Sequence, residues 1–241
     1  MISYSTKSRS KQEEILDNFE LHGPEMEIML NDLKTVNKIL GGQQVTLKGI
    51  KNLLQFISKK ECITIVDIGC GDGEMLRKVA QFGEANMYKF NLIGIDGNEH
   101  IIKIAKAKSK AYPNISFHVK DIFSEGPILA EYDIVLCTLF LHHFKNEGII
   151  AILNKLSAEA NVGVVVNDLH RSRIAFWLFR LFSSIFINSK IARHDGLVSV
   201  ARGFKHRELM SLAAQLPEKF STIQWNWAFR WQWIIKNTRH D

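Results

Sequence analysis

The segment that decides the fold runs Val66-Asp67-Ile68-Gly69-Cys70-Gly71-Asp72-Gly73. It continues a β-branched run at 63–66, which predicts a buried strand. Apolar residues then recur at helical spacing over 75–80, and an acidic residue, Glu74, suits the start of a helix. The three glycines are therefore predicted to form a strand-to-helix turn, where glycine permits unusual backbone angles and lets a ligand approach the main chain.

The spacing of these glycines argues against a dinucleotide site, which is typified by G-x-G-x-x-G. The glycines stand at 69, 71 and 73, and the carboxylate of Glu74 would repel a pyrophosphate. Asp67, just before them, suits a ligand that carries an ammonium group. The string D-I-G-C-G-D-G over 67–73 resembles motif I of class I S-adenosylmethionine (SAM)-dependent methyltransferases. An ordinary glycine-rich turn is the alternative interpretation.

The composition is that of a soluble α/β protein. The chain has 241 residues, of which 46% are hydrophobic and 23% charged, enough for one domain with additions. No long uncharged apolar run or apolar signal core is evident, so neither a transmembrane helix nor secretion is predicted. A net charge of +6 permits an anionic partner without requiring one. The three cysteines, Cys62, Cys70 and Cys137, form no CxxC pair and favour a cytoplasmic location.

Strands and helices alternate along the middle of the chain, which predicts a doubly wound parallel sheet. The family resemblance implies seven strands that end in an antiparallel C-terminal hairpin. We predict a helical extension at 1–60 and a methyltransferase core at 61–241 with an apolar helical insertion at about 171–203. The predicted strands lie at 63–68, 90–95, 115–119, 132–137, 162–166, 219–225 and 227–236. The predicted helices lie at 24–40, 46–57, 73–82, 98–110, 146–158, 171–188 and 205–215, with a turn at 193–196.

The two helices before the first strand are each apolar on one face. Pro24 fits the first position of one helix, and Thr46 is predicted to cap the other. One interpretation is a packing extension. The resemblance to small-molecule methyltransferases favours a lid over cofactor and acceptor.

The resemblance also implies the residues that hold SAM, each at the carboxyl end of a predicted strand. Asp96 would accept hydrogen bonds from the ribose hydroxyls, although it could instead cap a helix. Asp121 and Ile122 would bind the adenine, although Asp121 could be a plain turn residue. The full predicted cofactor set is Asp67, Gly69, Cys70, Gly71, Asp96, Gly97, Asp121, Ile122, Thr138 and His142.

Two histidines are candidates for the removal of a proton from the acceptor. His143 and His170 follow the fourth and fifth predicted strands, and the ordinary pKa of a histidine, near ~6.5, suits that task. A purely structural role is the alternative for each. Arg171, Trp177 and His194 are the predicted acceptor contacts, although Arg171 could instead pair with Asp168. No set of residues indicates a metal site.

The sequence thus predicts a SAM-dependent methyltransferase that acts, at oxygen first and carbon next, on a small lipophilic acceptor such as a phenol, quinol or polyketide. A looser resemblance links it to bacterial methyltransferases encoded near polyketide or quinone-type pathways. A nucleic-acid methyltransferase is the alternative, but the N/D-P-P-Y/F motif for exocyclic amines is missing. A membrane-associated binding protein is a third possibility, although Arg180 and Lys190 are few basic residues for an interfacial helix. We expect no integral membrane association, and the sequence leaves monomer or homodimer open.

Overall fold

The computed structural model describes residues 2, 4–17, 23–57, 62–217 and 220–237. The predicted boundary at residue 60 lies outside these ranges. The helices are α1 (Pro24–Ile39), α2 (Gly42–Leu53), α3 (Glu74–Ala85), α4 (Glu99–Lys108), α5 (Asn146–Glu159), α6 (Arg173–Phe186), α7 (Lys190–Arg202) and α8 (His206–Ala213). The strands are β1 (Cys62–Ile68), β2 (Lys89–Asp96), β3 (Ile115–Val119), β4 (Tyr132–Thr138), β5 (Ala160–Leu169), β6 (Phe220–Asn226) and β7 (Arg230–Lys236).

The seven strands form one sheet in the order β3-β2-β1-β4-β5-β7-β6. β1 to β5 pair in parallel, whereas β7 pairs antiparallel with both β5 and β6. The central strands are apolar on both faces, since helices cover both sides of the sheet. The predicted fold class is therefore confirmed.

The second helix begins four residues earlier than predicted. Gly41 adopts a left-handed conformation with φ of 66°, so α2 starts at Gly42 rather than at a Thr46 cap. Thr46 is buried inside the helix, where its hydroxyl lies 3.1 Å from the Thr138 hydroxyl and accepts a hydrogen bond from Asn167. α2 packs into the core against the sheet, because Ile50 and Leu53 belong to the same apolar cluster as β1.

The predicted turn at 193–196 is wrong, because those residues lie within α7. The side chain of Ser189 caps α7 by accepting a hydrogen bond from the amide of Ala192. Gly196 faces α6, and a Cβ at this position would lie 2.3 Å from the ring of Phe179. The glycine that indicated a turn instead allows two helices to pack closely.

Candidate active site

A cavity of about 750 Å³ lies at the carboxyl ends of the parallel strands. Its floor comes from the turns after β1, β2, β3 and β4, as expected for an open α/β sheet. Nine of the ten predicted cofactor residues line it: Asp67, Gly69, Cys70, Gly71, Asp96, Gly97, Asp121, Ile122 and Thr138.

The glycine turn after β1 is held against the end of β2 by backbone hydrogen bonds. The amides of Gly69 and Cys70 both donate to the carbonyl of Ile95. Gly69 has φ of 68°, and a Cβ there would lie 2.4 Å from the ring of Phe140. A side chain at this position is therefore excluded both by backbone strain and by contact with the loop after β4.

Two acidic side chains, Asp67 and Asp96, lie together in the cavity. Asp67 is buried, and its Oδ1 has no hydrogen-bond partner among the described residues. Burial, with the nearby charge of Asp96, raises the pKa of Asp67 to about 8. Asp96 accepts hydrogen bonds from the amides of Gly71 and Asn98, although burial still raises its pKa. Within the part of the chain that the structure describes, neither carboxyl group forms a salt bridge, so the site is suited to a positively charged ligand.

The segment after β3 forms one side of the cavity. Asp121 accepts a hydrogen bond from the amide of Phe123 at 2.9 Å, so it does order a local turn. Its side chain remains exposed, and Ile122 beside it is buried. The ring of Phe123 meets Phe144 edge-on, with centroids 5.4 Å apart. Ile122, Phe123 and Phe144 thus form an apolar slot next to the exposed carboxylate of Asp121.

The front wall comes from chain that precedes the sheet. Residues of the 4–17 segment, of α1 and of the start of α2 face the cavity: Glu13, Leu16, Asp17, Leu30, Leu33, Lys34, Asn37, Gly42 and Gln43. Gln43 donates to Glu74 at 3.1 Å, and Lys34 lies 3.5 Å from the same carboxylate. Glu74 thereby ties this wall to the start of α3.

His143 lines the cavity and pairs with the front wall. Its Nδ1 lies 2.7 Å from Asp17 Oδ1, and Arg202 donates to Asp17 Oδ2 at 2.9 Å. Burial would raise the pKa of Asp17, but the bond to His143 and the charge of Arg202 lower it to about 2. Asp17 is therefore ionised and fixes the orientation of the imidazole.

His142 is buried behind this pair and does not line the cavity. Its Nδ1 lies 2.7 Å from Asp168, and its Nε2 lies 3.2 Å from Glu14 in an ion pair. Burial opposes protonation, but these two carboxylates outweigh it and raise the pKa of His142 to about 9. His142, a predicted cofactor residue, thus lies outside the cavity lining and joins the 4–17 segment to β5.

Within the described part of the chain, Glu14, His142 and His143 bring one possible metal-ligand atom each within 4.8 Å of one another. A protonated His142 already lies between two carboxylates, and Arg202 also contacts this network. The charges are balanced without a cation, so we assign no metal here.

Four predicted residues lie away from the cavity. Arg171 is fully buried and forms a bidentate pair with Glu208 at 2.7 and 2.9 Å, not with Asp168. His170 accepts a hydrogen bond from the indole of Trp225, Trp177 is exposed on α6, and His194 pairs with Asp195. None of the four lines the cavity, because β5 and the helices after it direct them elsewhere.

The helix of the front wall was predicted as a lid, but the part of the wall that comes from the 4–17 segment was not predicted from the sequence. Glu14, Asp17 and Arg202 are the most informative of the missed residues, because they position the two histidines. Within residues 4–17 the regular structure is limited to a short 3-10 turn at Ile15–Asp17, so the segment carries no periodic pattern. Only their three carboxylates, in a chain rich in basic residues, could have drawn attention to them.

The fold and the cavity are similar to those of class I methyltransferases. The family model for a methyltransferase domain matches residues 65–161. A protein of Invertebrate iridescent virus 6, described as methyltransferase 235L, is 37% identical over 94 residues, which is 39% of this chain. The match spans about a third (31%) of that curated relative.

Two solved structures share the fold. The plantazolicin methyltransferase BpumL, in complex with S-adenosylhomocysteine (SAH), gives a TM-score of 0.68 at 18% identity, covering 92% of this chain and 93% of that one. The magnesium protoporphyrin IX methyltransferase of Synechocystis PCC 6803, with bound SAM, gives a TM-score of 0.54 at 16% identity, with coverage of 92% and 89%. The match of residues 65–161 to a methyltransferase domain, together with neighbours of the same fold that hold SAH or SAM, confirms the predicted family, enzyme class and cofactor.

Proposed function

We propose that this chain transfers the methyl group of SAM to a small lipophilic acceptor, with oxygen as the first choice of acceptor atom. The observation that carries the proposal is the buried carboxyl group of Asp67, whose Oδ1 has no hydrogen-bond partner among the described residues and which lies in the same cavity as the His143–Asp17 pair. A cationic cofactor would supply the partner that Asp67 lacks. An acceptor that must lose a proton would give it to the His143–Asp17 pair.

The residues present fit SAM. Its ammonium group would be held near Asp67 and the glycine turn, where a positive charge relieves the repulsion between Asp67 and Asp96. Its ribose hydroxyls would donate to Asp96, and its adenine would lie near Asp121 and Ile122. When bound, SAM supplies a methyl group that is already activated by the sulfonium.

The protein's part in catalysis is to position the acceptor and take its proton. In an in-line displacement the bond from sulfur to methyl breaks as the bond from acceptor oxygen to methyl forms. The hydroxyl proton passes to Nε2 of His143, whose Nδ1–H is held by Asp17. The imidazolium that forms is stabilised by this ionised carboxylate.

The cavity walls support an apolar acceptor. Leu16, Leu30 and Leu33 contribute from the front, and Phe140 and Phe144 from the loop after β4. The two solved structures are of methyltransferases of plantazolicin and of magnesium protoporphyrin IX, which are small molecules rather than nucleic acids. We extend the small-molecule class to this chain and include phenols, quinols and polyketides of secondary metabolism.

A screen with labelled SAM tests this function. Purified protein is incubated with phenolic, quinol and fatty acceptors, and the products are separated and analysed by mass spectrometry and NMR. We expect methyl ethers in reactions of wild type and their loss with His143→Gln. A product methylated at carbon would refute the choice of oxygen, and transfer only to RNA would refute the small-molecule class.

The front wall acts, in this proposal, as the predicted lid. The 4–17 segment and α1 both contribute cavity residues, whereas α2 is part of the packed core. Deleting residues 1–40 should therefore reduce turnover far more than it lowers the melting temperature. Full turnover after the deletion would show that the wall is only a packing extension.

We also place the protein in the cytoplasm. Cys62, Cys70 and Cys137 are all free thiols, and Cys62 is exposed, which suits a reducing compartment. Burial raises the pKa of Cys70 well above its usual range, so this cavity residue stays a neutral thiol. Fractionation of producing cells tests the assignment, and recovery from the medium would contradict it.

A further inference from the structure

The outward face of α6 carries a continuous apolar stripe. Ile174, Leu181 and Ile185 are 64%, 62% and 66% exposed. Trp177 and Leu178 complete the stripe and are also more than half exposed. These five residues follow the i, i+3, i+4, i+7 spacing of one helix face. A helix whose solvent side is apolar indicates a surface that binds another apolar phase.

The stripe is fixed in place by the opposite face of the helix. Ala175, Phe176 and Ser183 are buried, and Phe179 packs over Gly196 of α7. Ser172 caps the helix by accepting from the amide of Ala175. The residues of the stripe are exposed because the opposite face of α6 packs against the rest of the protein.

The charged residues of α6 itself have one sign. At about 100° per residue, Arg173 and Arg180 fall along one edge of it. Arg180 also lies 5.1 Å from the centre of the Trp177 ring. From 169 to 194 the chain contains no Asp or Glu, and Lys190 follows α6 directly. Basic residues beside a Trp-containing apolar face match an anionic lipid surface.

We propose that α6 lies in the plane of an anionic phospholipid bilayer, with the stripe in the interfacial region and the two arginines at the headgroups. This binding is peripheral, since no helix in the described part of the chain has the length and apolar character needed to cross a membrane. In the sequence analysis, only Arg180 and Lys190 were counted as basic residues of this region. Arg173 is also exposed on α6, so the helix is more basic than that count suggested.

A second copy of the chain fits the stripe less well. In a symmetric dimer the same patch meets itself, so the basic edge would find no carboxylate opposite. The lipid assignment also connects to the acceptor, and here it rests on the proposed function. Phe179 and Phe182 on the inner side of α6 belong to one apolar cluster with Leu30 and Leu33, which line the cavity. An acceptor dissolved in a membrane would therefore be close to the front wall.

Vesicle flotation tests the proposal with the full chain. We compare vesicles of phosphatidylcholine alone with vesicles that contain about 30% phosphatidylglycerol. Wild type should float with the anionic vesicles, and added salt should weaken this binding. The double variant Leu181→Ser/Ile185→Ser should lose at least about tenfold in partition coefficient, and Arg180→Gln should lose less. Met87→Ser, which alters an exposed apolar residue outside α6, serves as the matched control.

Each outcome of these experiments either supports or overturns the proposed membrane binding of α6. Equal flotation of wild type and the double variant, or no flotation of wild type, overturns the proposal. Light scattering that shows a wild-type dimer lost in the double variant assigns the stripe to a second copy and also overturns it. Calorimetry with SAM separates this result from the proposed function, because the double variant keeps its SAM affinity if α6 serves only the membrane. Loss of SAM binding in both proteins would instead refute the cofactor site.

Discussion

His143 Nδ1 and Asp17 Oδ1 lie 2.7 Å apart, although 126 residues of sequence separate them. One belongs to the loop after β4 and the other to a short turn before α1. Their contact makes the front wall part of the proposed chemistry, since it fixes the orientation of the imidazole. The proposed base is therefore assembled only when the 4–17 segment is in place.

Substitution of His143 tests the base directly. His143→Gln should reduce kcat about 10²–10⁴-fold with an acceptor that must lose a proton, because the variant cannot take that proton. Asp17→Asn should reduce kcat less and shift its pH profile, since the imidazole keeps its place but loses an ionised partner. SAM affinity should change little in either variant, as measured by calorimetry. Near-normal kcat in His143→Gln would mean that catalysis relies on positioning alone.

Binding of SAM should release a proton through Asp67. The pKa of this carboxyl is about 8 in the free protein, and a bound ammonium group favours the ionised form. Affinity should therefore rise as the pH increases from 6 toward 8. It should fall above that range as the α-amino group of SAM, with an ordinary pKa of about 8, loses its own charge.

Calorimetry in two buffers of different ionisation enthalpy measures this release, which should approach about one proton at pH 7. The Asp67→Asn variant should bind more weakly and release none. It should also melt at a higher temperature than ligand-free wild type at neutral pH, because the wild-type carboxyl is ionised in the unfolded chain and must take up a proton on folding, whereas the amide need not. Proton release that persists in Asp67→Asn would assign the effect to another group.

Asp96→Ala should weaken SAM binding by about 2–3 kcal/mol, through the loss of two charge-assisted hydrogen bonds to the ribose. Asp96 also accepts from the amides of Gly71 and Asn98. The matched variant Asp96→Asn keeps an acceptor for these amides and controls for damage to the turn. Unchanged affinity in a folded Asp96→Ala variant would remove the ribose from this position.

The tether of the 4–17 segment should loosen in mild alkali. The pKa of His142 is raised to about 9 from an ordinary 6.5, so its stabilising effect is complete below pH 6.5 and is lost as the pH passes 9. Amide exchange in the 4–17 segment should accelerate between pH 7 and 9.5 after correction for intrinsic rates. Glu14→Gln should show fast amide exchange in the 4–17 segment already at pH 7. If neither the rise in pH nor this substitution changes the protection of the segment, then His142 does not hold it in place.

Gly196→Ala should destabilise the protein by about 1–3 kcal/mol through overpacking against Phe179. Adding Phe179→Leu should recover part of this loss, because the smaller side chain makes room for the methyl group. Chemical denaturation of the two single variants and the double variant measures the coupling. Simple additivity would show that the helices do not meet at this point.

The sheet could be predicted from sequence because local patterns determine it. Buried parallel strands such as β4 and β5 appear as apolar runs, and the glycine turn after β1 has its own signature. α7 could not be recognised, because its glycine and its charged residues follow contacts with α6 and the 4–17 segment rather than a helical stripe. Thr46 was misplaced for a similar reason, since its partner Thr138 is distant in the sequence.

The floor of the cavity was equally accessible to sequence, since strand ends in a parallel sheet meet at one edge. The 4–17 part of the front wall could not be predicted in this way, because Asp17 and Glu14 acquire their roles only from residues that the fold brings close to them. His170 and Arg171 show the converse limit. They follow β5 as a ligand-binding loop would, but Phe204 pairs with this loop and Glu208 takes the guanidinium.

The contacts of the 4–17 segment also set the order in which the protein is completed on the ribosome. Glu14 bonds Ser199, 185 residues further along, and Arg9 bonds the carbonyl of Arg202. At about 5–20 residues per second, the segment waits roughly 10–40 s for its partners to be synthesised. The cavity floor can form during that time, so a nascent chain stalled before α7 should hold a nearly complete cofactor site with no front wall.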